Sequence, residues 1–207
     1  MIPVLVLSII LVLPPMGQYS LALCTWQILC LCEILDTNGL TIDGLAQPYI
    51  GPVILAMLGS YHFFKTGHQA VLSSIQWNAA FVPLRTIQYP WSPILILLNN
   101  FGPQILCAAA VPLMVLWKRP IAKEGLKGYW SDIMQGCMAH LLYYATIQVA
   151  ATMWAGHLRR HLMLYRVFMP RFLMASGVLL IVDIVLVGVA LAGARVTGSS
   201  VAEVFGY

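Results

Sequence analysis

Apolar runs separated by short polar breaks set the pattern of this chain. Residues 2–13 are apolar but only twelve long, short of the roughly 20 that a spanning helix needs. No Lys or Arg precedes them, so they lack the basic start of a signal peptide. They read as a helix stub, as if the chain began inside a membrane element. Pro14-Pro15-Met16-Gly17 breaks that run. Residues 19–35 form the next one, with Glu33 near its end, and Asp36-Thr37-Asn38-Gly39 opens an acidic turn that Asp43 keeps polar. Residues 49–64 form the third run. Gly51-Pro52 at its start suits a helix N-terminus, where the missing proline N–H costs nothing.

Three longer runs follow. Residues 94–117 are long enough to span, although Asn99, Asn100, Gly102, Pro103 and Pro112 interrupt them. That composition predicts a kinked helix packed against partners. Residues 129–154 carry Trp130 and Trp154 as interface anchors, and Tyr89 and Trp91 sit in a preceding connector. Residues 172–194 form the last run, with Asp183 near its middle. The pattern predicts an all-α fold: a polytopic membrane helix bundle of about five to six embedded helices in one domain over residues 1–207. Residues 1–48 supply N-terminal helices and a polar loop.

One stretch departs from this greasy background. Residues 63–81 place Lys65, His68, Gln69, Gln76, Trp77 and Asn78 between two apolar runs. Polar groups at membrane depth cost several kcal/mol each unless satisfied, so the stretch needs a reason. Ser73-x-x-Gln76 fits a capping box, and Pro83 would stop the helix it starts near Val82. Such a helix is roughly 14 Å long and cannot cross a core of about 30 Å. It is expected to be re-entrant or interfacial, with Ser74 and Asn78 on one face and Trp77 and Phe81 on another.

Composition agrees with this picture. The chain of 207 residues is 60% hydrophobic and 9% charged, with mean hydropathy +0.85, against about 25% charged residues in soluble domains. The formal charge of +4 comes from short basic clusters. These read as loops at a membrane surface and not as a nucleic-acid patch. Cys24, Cys30, Cys32, Cys107 and Cys137 all lie in apolar runs, where they behave as small buried hydrophobes. The basic loop around 159–171 favours the cytosolic side and the acidic 36–48 loop the other, but the loop at 118–128 is basic too, so the charge rule leaves orientation open.

Candidate chemistry is limited. A short helix N-terminus near Lys65 and His68 could hold a headgroup phosphate; the alternative is a turn whose polar groups satisfy one another. His157-Leu-Arg-Arg-His161 has two His at i,i+4, but the two Arg would repel a metal. Arg159, Arg160 and Arg171 fit lipid phosphates better. Glu33, Asp132, His140 and Asp183 are candidate intramembrane ionisable groups, Asp183 foremost, either as a substrate or proton site or as half of a structural pair. From residue 44 to 123 there are no acids at all. No phosphate-binding loop, catalytic triad or clustered two-metal centre is present in the sequence.

The residues carry a resemblance. Thr66-Gly67-His68-Gln69, with Ser74-Ile75-Gln76-Trp77-Asn78-Ala79-Ala80-Phe81, resembles the membrane region of the GPI ethanolamine phosphate transferases. The stretch from His157-Leu-Arg-Arg-His-Leu-Met to Phe168-Met-Pro-Arg-Phe172 and the final-span Asp183 support it, so that residues 49–207 form the family-like part. The resemblance implies a multi-pass protein of the endoplasmic reticulum membrane. It implies transfer of ethanolamine phosphate from phosphatidylethanolamine to the third mannose of a GPI precursor. It further implies a phosphatase-like domain holding two metal ions, zinc by analogy, and a small membrane partner subunit. The catalytic motif and metal ligands of that domain have no counterpart in this sequence, so no catalytic, cofactor or metal residue carries over. The headgroup contacts implied are Lys65, His68, Gln69, Gln76, Trp77, Asn78, Arg159, Arg160 and Arg171. Two other readings remain: a small standalone lipid or solute transporter using Asp183, and a non-catalytic assembly subunit.

Overall fold

A computed structural model describes residues 2–37, 49–82, 84–115, 117 and 125–205, with side chains for 5–37, 49–82, 84–115, 117 and 130–188. The acidic turn after residue 37 and the basic loop at 118–124 lie outside the described residues. Among the described residues the regular structure is entirely helical. In chain order the helices are α1 (Ile2–Val12), α2 (Pro15–Thr37), α3 (Ile50–Lys65), α4 (Trp91–Val115), α5 (Gly125–His157) and α6 (Met169–Phe205). Among the described residues, three stretches are long and apolar enough to cross a membrane: Pro15–Thr37, Trp91–Val115 and Leu164–Gly188.

α4 is the hub. It packs against α1, α2, α3, α5 and α6, and 72% of its spanning window is buried. It runs unbroken through Pro103 and Pro112. Each proline removes one helical hydrogen bond, and the surrounding helices hold the helix together through its Phe101–Val111 core face. Gly102 explains the close approach of α1: a β-carbon there would lie 2.6 Å from Ile9 Cγ2.

Neighbouring helices alternate in direction. At one end of the bundle Gly51 of α3 meets Leu35 of α2 and Met114 of α4; eight residues on, Gly59 meets Gln104 and Cys107 of α4. α3 and α5 run in parallel, because two groups four residues apart on α5 reach two carbonyls four residues apart on α3. His140 Nδ1 bonds the Pro52 carbonyl at 2.9 Å, and the Tyr144 hydroxyl donates to the Ala56 carbonyl at 3.2 Å. Each bond contributes on the order of 1 kcal/mol, and together they fix the register of the two helices. α2 and α3 are joined through His62, whose ring lies 2.8 Å from Ser20 Oγ and 2.7 Å from Gln27 Oε1. The cysteines behave as expected: Cys24, Cys32, Cys107 and Cys137 are buried, Cys30 partly so, and all are free thiols.

This topology gathers the end of α3, the connector to α4, the end of α5 and the start of α6 at one end of the bundle.

Candidate functional site

The polar stretch after α3 is built differently from the sequence expectation. α3 ends in a turn at Thr66, whose N–H donates to the His62 carbonyl, and Gly67 follows with φ +89°. That left-handed conformation is the position glycine fills at a helix end without steric cost. No helix of about nine residues follows. Two 3-10 turns, Leu72–Ser74 and Trp77–Phe81, replace it, and neither has a side-chain cap. The capping box fails because Ser74, not Ser73, makes the local bonds. Its hydroxyl turns back to the Gln69 and Val71 carbonyls at 2.7 and 2.8 Å, the competition by which serine disfavours helix. Ser74, Asn78, Trp77 and Phe81 therefore do not share helical faces, and a helix N-terminus able to hold a phosphate is not present here.

The stretch is held instead by α4. The Gln76 backbone N–H donates to Asn100 Oδ1 at 2.9 Å, and Asn99 Nδ2 donates to Gln76 Oε1 at 3.1 Å. Asn100 also donates from Nδ2 to the Ile96 carbonyl at 2.8 Å. Both asparagines are buried. The buried Ser92, eight residues before Asn100, accepts from the Gln88 N–H and reaches the Ala80 carbonyl. His68 points inward, its ring stacked on Phe63 at 5.3 Å and its Nδ1 at 2.9 Å from Thr66 Oγ1. Burial holds its imidazole below its ordinary value, against a smaller raising contact from the Asn100 side chain.

The docked stretch leaves a cleft of about 530 Å³ against the end of α1. Leu11 to Pro14 form one wall; Ile75 to Ala79, Val82 and Asn99 form the other. Its polar lining is uncharged: the amides of Gln76, Asn78 and Asn99, beside an exposed Trp77. Amides both donate and accept, and an indole face offers an apolar platform. This composition suits a neutral, hydroxyl-bearing group better than a bare phosphate.

Of the expected headgroup residues, the cleft unites Gln76, Trp77 and Asn78. Lys65 is exposed at the end of α3, its Nζ 5.4 Å from the Tyr61 ring. Gln69 is exposed, and His68 is buried but does not line the cleft. Arg159 and Arg160 are exposed in the turn after α5. α5 ends at His157, so His157 and His161 do not share a helix. Arg171 stands in the first turn of α6 and lines a second cavity. Asp183 lies on the exposed side of α6 and borders neither cavity. Glu33 is exposed as well and Asp132 partly so; of the four ionisable groups expected inside the bundle, His140 alone is buried. In the sequence Asn99 and Asn100 stand only as interruptions of an apolar run, and Ser92 and Gln104 do not stand out at all. Asn100 and Gln104 lie one helical turn apart on one face, and that spacing is the signal that could have found Gln104.

Together these features define a helical membrane protein with an end-on polar cleft. The chain belongs to the GPI ethanolamine phosphate transferase membrane-region family, whose pattern matches residues 38–197. It is 35% identical over 186 residues to GPI ethanolamine phosphate transferase 3 of Eremothecium gossypii, covering 90% of this chain and 18% of that protein. The protein of the same name from Saccharomyces cerevisiae is 36% identical over 179 residues, covering 86% and 17%. The Homo sapiens GPI ethanolamine phosphate transferase 3, catalytic subunit, is 26% identical over 173 residues. The chain thus spans less than a fifth of the length of these relatives. No solved structure matches it.

Proposed function

We propose that this chain is the membrane-embedded part of a GPI ethanolamine phosphate transferase. It docks phosphatidylethanolamine and the GPI precursor in the endoplasmic reticulum membrane, for transfer of ethanolamine phosphate to the third mannose. All six helices of the described residues are membrane-embedded in this reading, and the 3-10 segment lies at the interface. The observation that carries the proposal is the clamp of Gln76 by Asn99 and Asn100. It holds three amides and Trp77 around a cleft at one end of an apolar bundle. The cleft receives the uncharged sugar part of the glycolipid, while Arg159, Arg160 and Arg171 meet lipid phosphates at the same end. Among the described residues no group of three or more His, Cys, Asp or Glu gathers. The two metal ions therefore have no fit there, and the chemical step is assigned to a phosphatase-like domain with its small membrane partner subunit.

The test is a chimera in which this chain replaces the matching segment of the Saccharomyces cerevisiae relative. Ethanolamine phosphate transfer to a GPI precursor is expected to be retained. Replacing Gln76, Trp77 and Asn78 together by Ala should lower it at least about tenfold, the loss of one or two good hydrogen bonds plus a stacking platform. Full transfer by that triple variant would remove the cleft from substrate docking.

A further inference from the structure

A second cavity of about 270 Å³ lies among α3, α4, α5 and α6, apart from the cleft and sharing no residue with it. Its walls are apolar and aromatic, among them Phe63, Tyr143 and Met174. Ser60, Gln104 and Arg171 interrupt them, beside the hydroxyls of Tyr143 and Tyr144, the latter donating to the Ala56 carbonyl. Gln104 is 4% exposed and lines the cavity, yet its Oε1 has no hydrogen-bond partner. A buried amide oxygen with nothing to accept from is costly. Arg171 lines the same cavity from the first turn of α6 and is exposed. It has no hydrogen-bond or ion-pair partner among the described residues. Val178, also a lining residue, lies seven residues further along α6, so the cavity extends about 10 Å inward from Arg171.

From these features we infer that the cavity is a phospholipid site. One acyl chain lies between the aromatic and aliphatic walls, and the lipid phosphate pairs with the Arg171 guanidinium. The Gln104 amide meets the polar backbone of the lipid. A pure hydrocarbon would leave Gln104 and Arg171 unmet; a soluble anion would leave the apolar walls unfilled. A phosphate-bearing lipid answers both, because a guanidinium binds phosphate through paired charge-assisted bonds. The site is separate from the cleft, and it rests on and deepens the proposed docking of phosphatidylethanolamine by giving the lipid a place.

The experiment uses the full chain in phosphatidylcholine nanodiscs. Phosphatidylethanolamine with a diazirine on its acyl chain is the probe, and a diazirine-bearing diacylglycerol is the control. Adducts are expected on Tyr143 and Met174. Ala175→Phe, which fills the cavity, should abolish them. Arg171→Gln, an exposed change that leaves the core intact, should lower phospholipid labelling about tenfold and leave diacylglycerol labelling unchanged. Gln76→Ala should change nothing, which separates this site from the cleft. Adducts confined to outward residues such as Leu180 and Ile184, or labelling indifferent to Arg171→Gln, would overturn the inference. Either result leaves the transfer test of the cleft standing on its own.

Discussion

Asn99–Asn100 and Asp183 look alike in the sequence: polar residues set well inside apolar runs. In the structure they are opposites. The asparagines are buried on the central helix, and their amides hold the Gln76 segment in place. Asp183 lies on the outer face of α6, whose spanning window is only 22% buried. Its neighbours Val182 and Leu186 face the core. A polar group within a span acquires its meaning from the helix face it occupies. One that faces protein organises the fold; one that faces outward must be met from outside the bundle.

Removing an inward group should therefore cost most. Asn100→Leu deletes the acceptor of the Gln76 N–H and leaves that donor unpaired. A loss of about 2 kcal/mol is expected, read as a lower unfolding midpoint and faster protease cleavage between residues 66 and 82. Asn100→Asp keeps an acceptor and should recover part of the loss. If Asn100→Leu leaves cleavage unchanged, the clamp is not what orders the segment.

The next effect is at the start of the same segment. Gly67 holds φ +89° with open space around its α-carbon, so Gly67→Ala meets no clash and the whole effect is backbone strain. About 1 kcal/mol of destabilisation is expected, again read by protease cleavage of 66–82. An equal loss for Gly156→Ala, which also has open space but sits inside α5, would break the assignment, because alanine in a helix is favoured over glycine.

The helices themselves were legible. Apolar runs at 19–35, 49–64, 94–117, 129–154 and 172–194 fall within α2 to α6, apart from a few residues at two ends, because burial in an apolar bundle demands long uninterrupted runs. The polar segment was legible as an anomaly and misread in form. Ser73-x-x-Gln76 matches a capping box by type, but whether Ser73 caps depends on Gln76 being free to reach back. Here Asn99 and Asn100 on a helix 23 and 24 residues away have taken Gln76. No local pattern encodes that competition. The outward face of Asp183 was not legible for a related reason: hydropathy places a residue at a depth and leaves its face unspecified.

A smaller effect follows from His68. Burial lowers its imidazole from the ordinary value of 6.5. The docked segment binds a proton less readily than the undocked one, so docking is at full strength above about pH 6.5 and weakens as the pH falls below it. Protease cleavage of 66–82 should rise between about pH 6.5 and 5, and His68→Gln should flatten that slope. A flat profile in the unaltered chain would show that His68 does not report on docking.

The smallest effect is predicted at Asp183, and it bears most directly on the contrast. A side chain on the outer face, with no bond to another described residue, contributes little to the packing of its own bundle. Asp183→Asn should shift the unfolding midpoint of the purified chain by no more than about 0.5 kcal/mol, while Asn100→Leu shifts it several-fold more. The same substitution in the chimera asks a separate question, because a carboxylate facing lipid is costly unless something covers it. Unchanged stability with lost transfer would mean that Asp183 is met by another part of the assembly. A stability loss matching that of Asn100→Leu would mean that Asp183 faces inward and that the contrast drawn from the two positions is wrong.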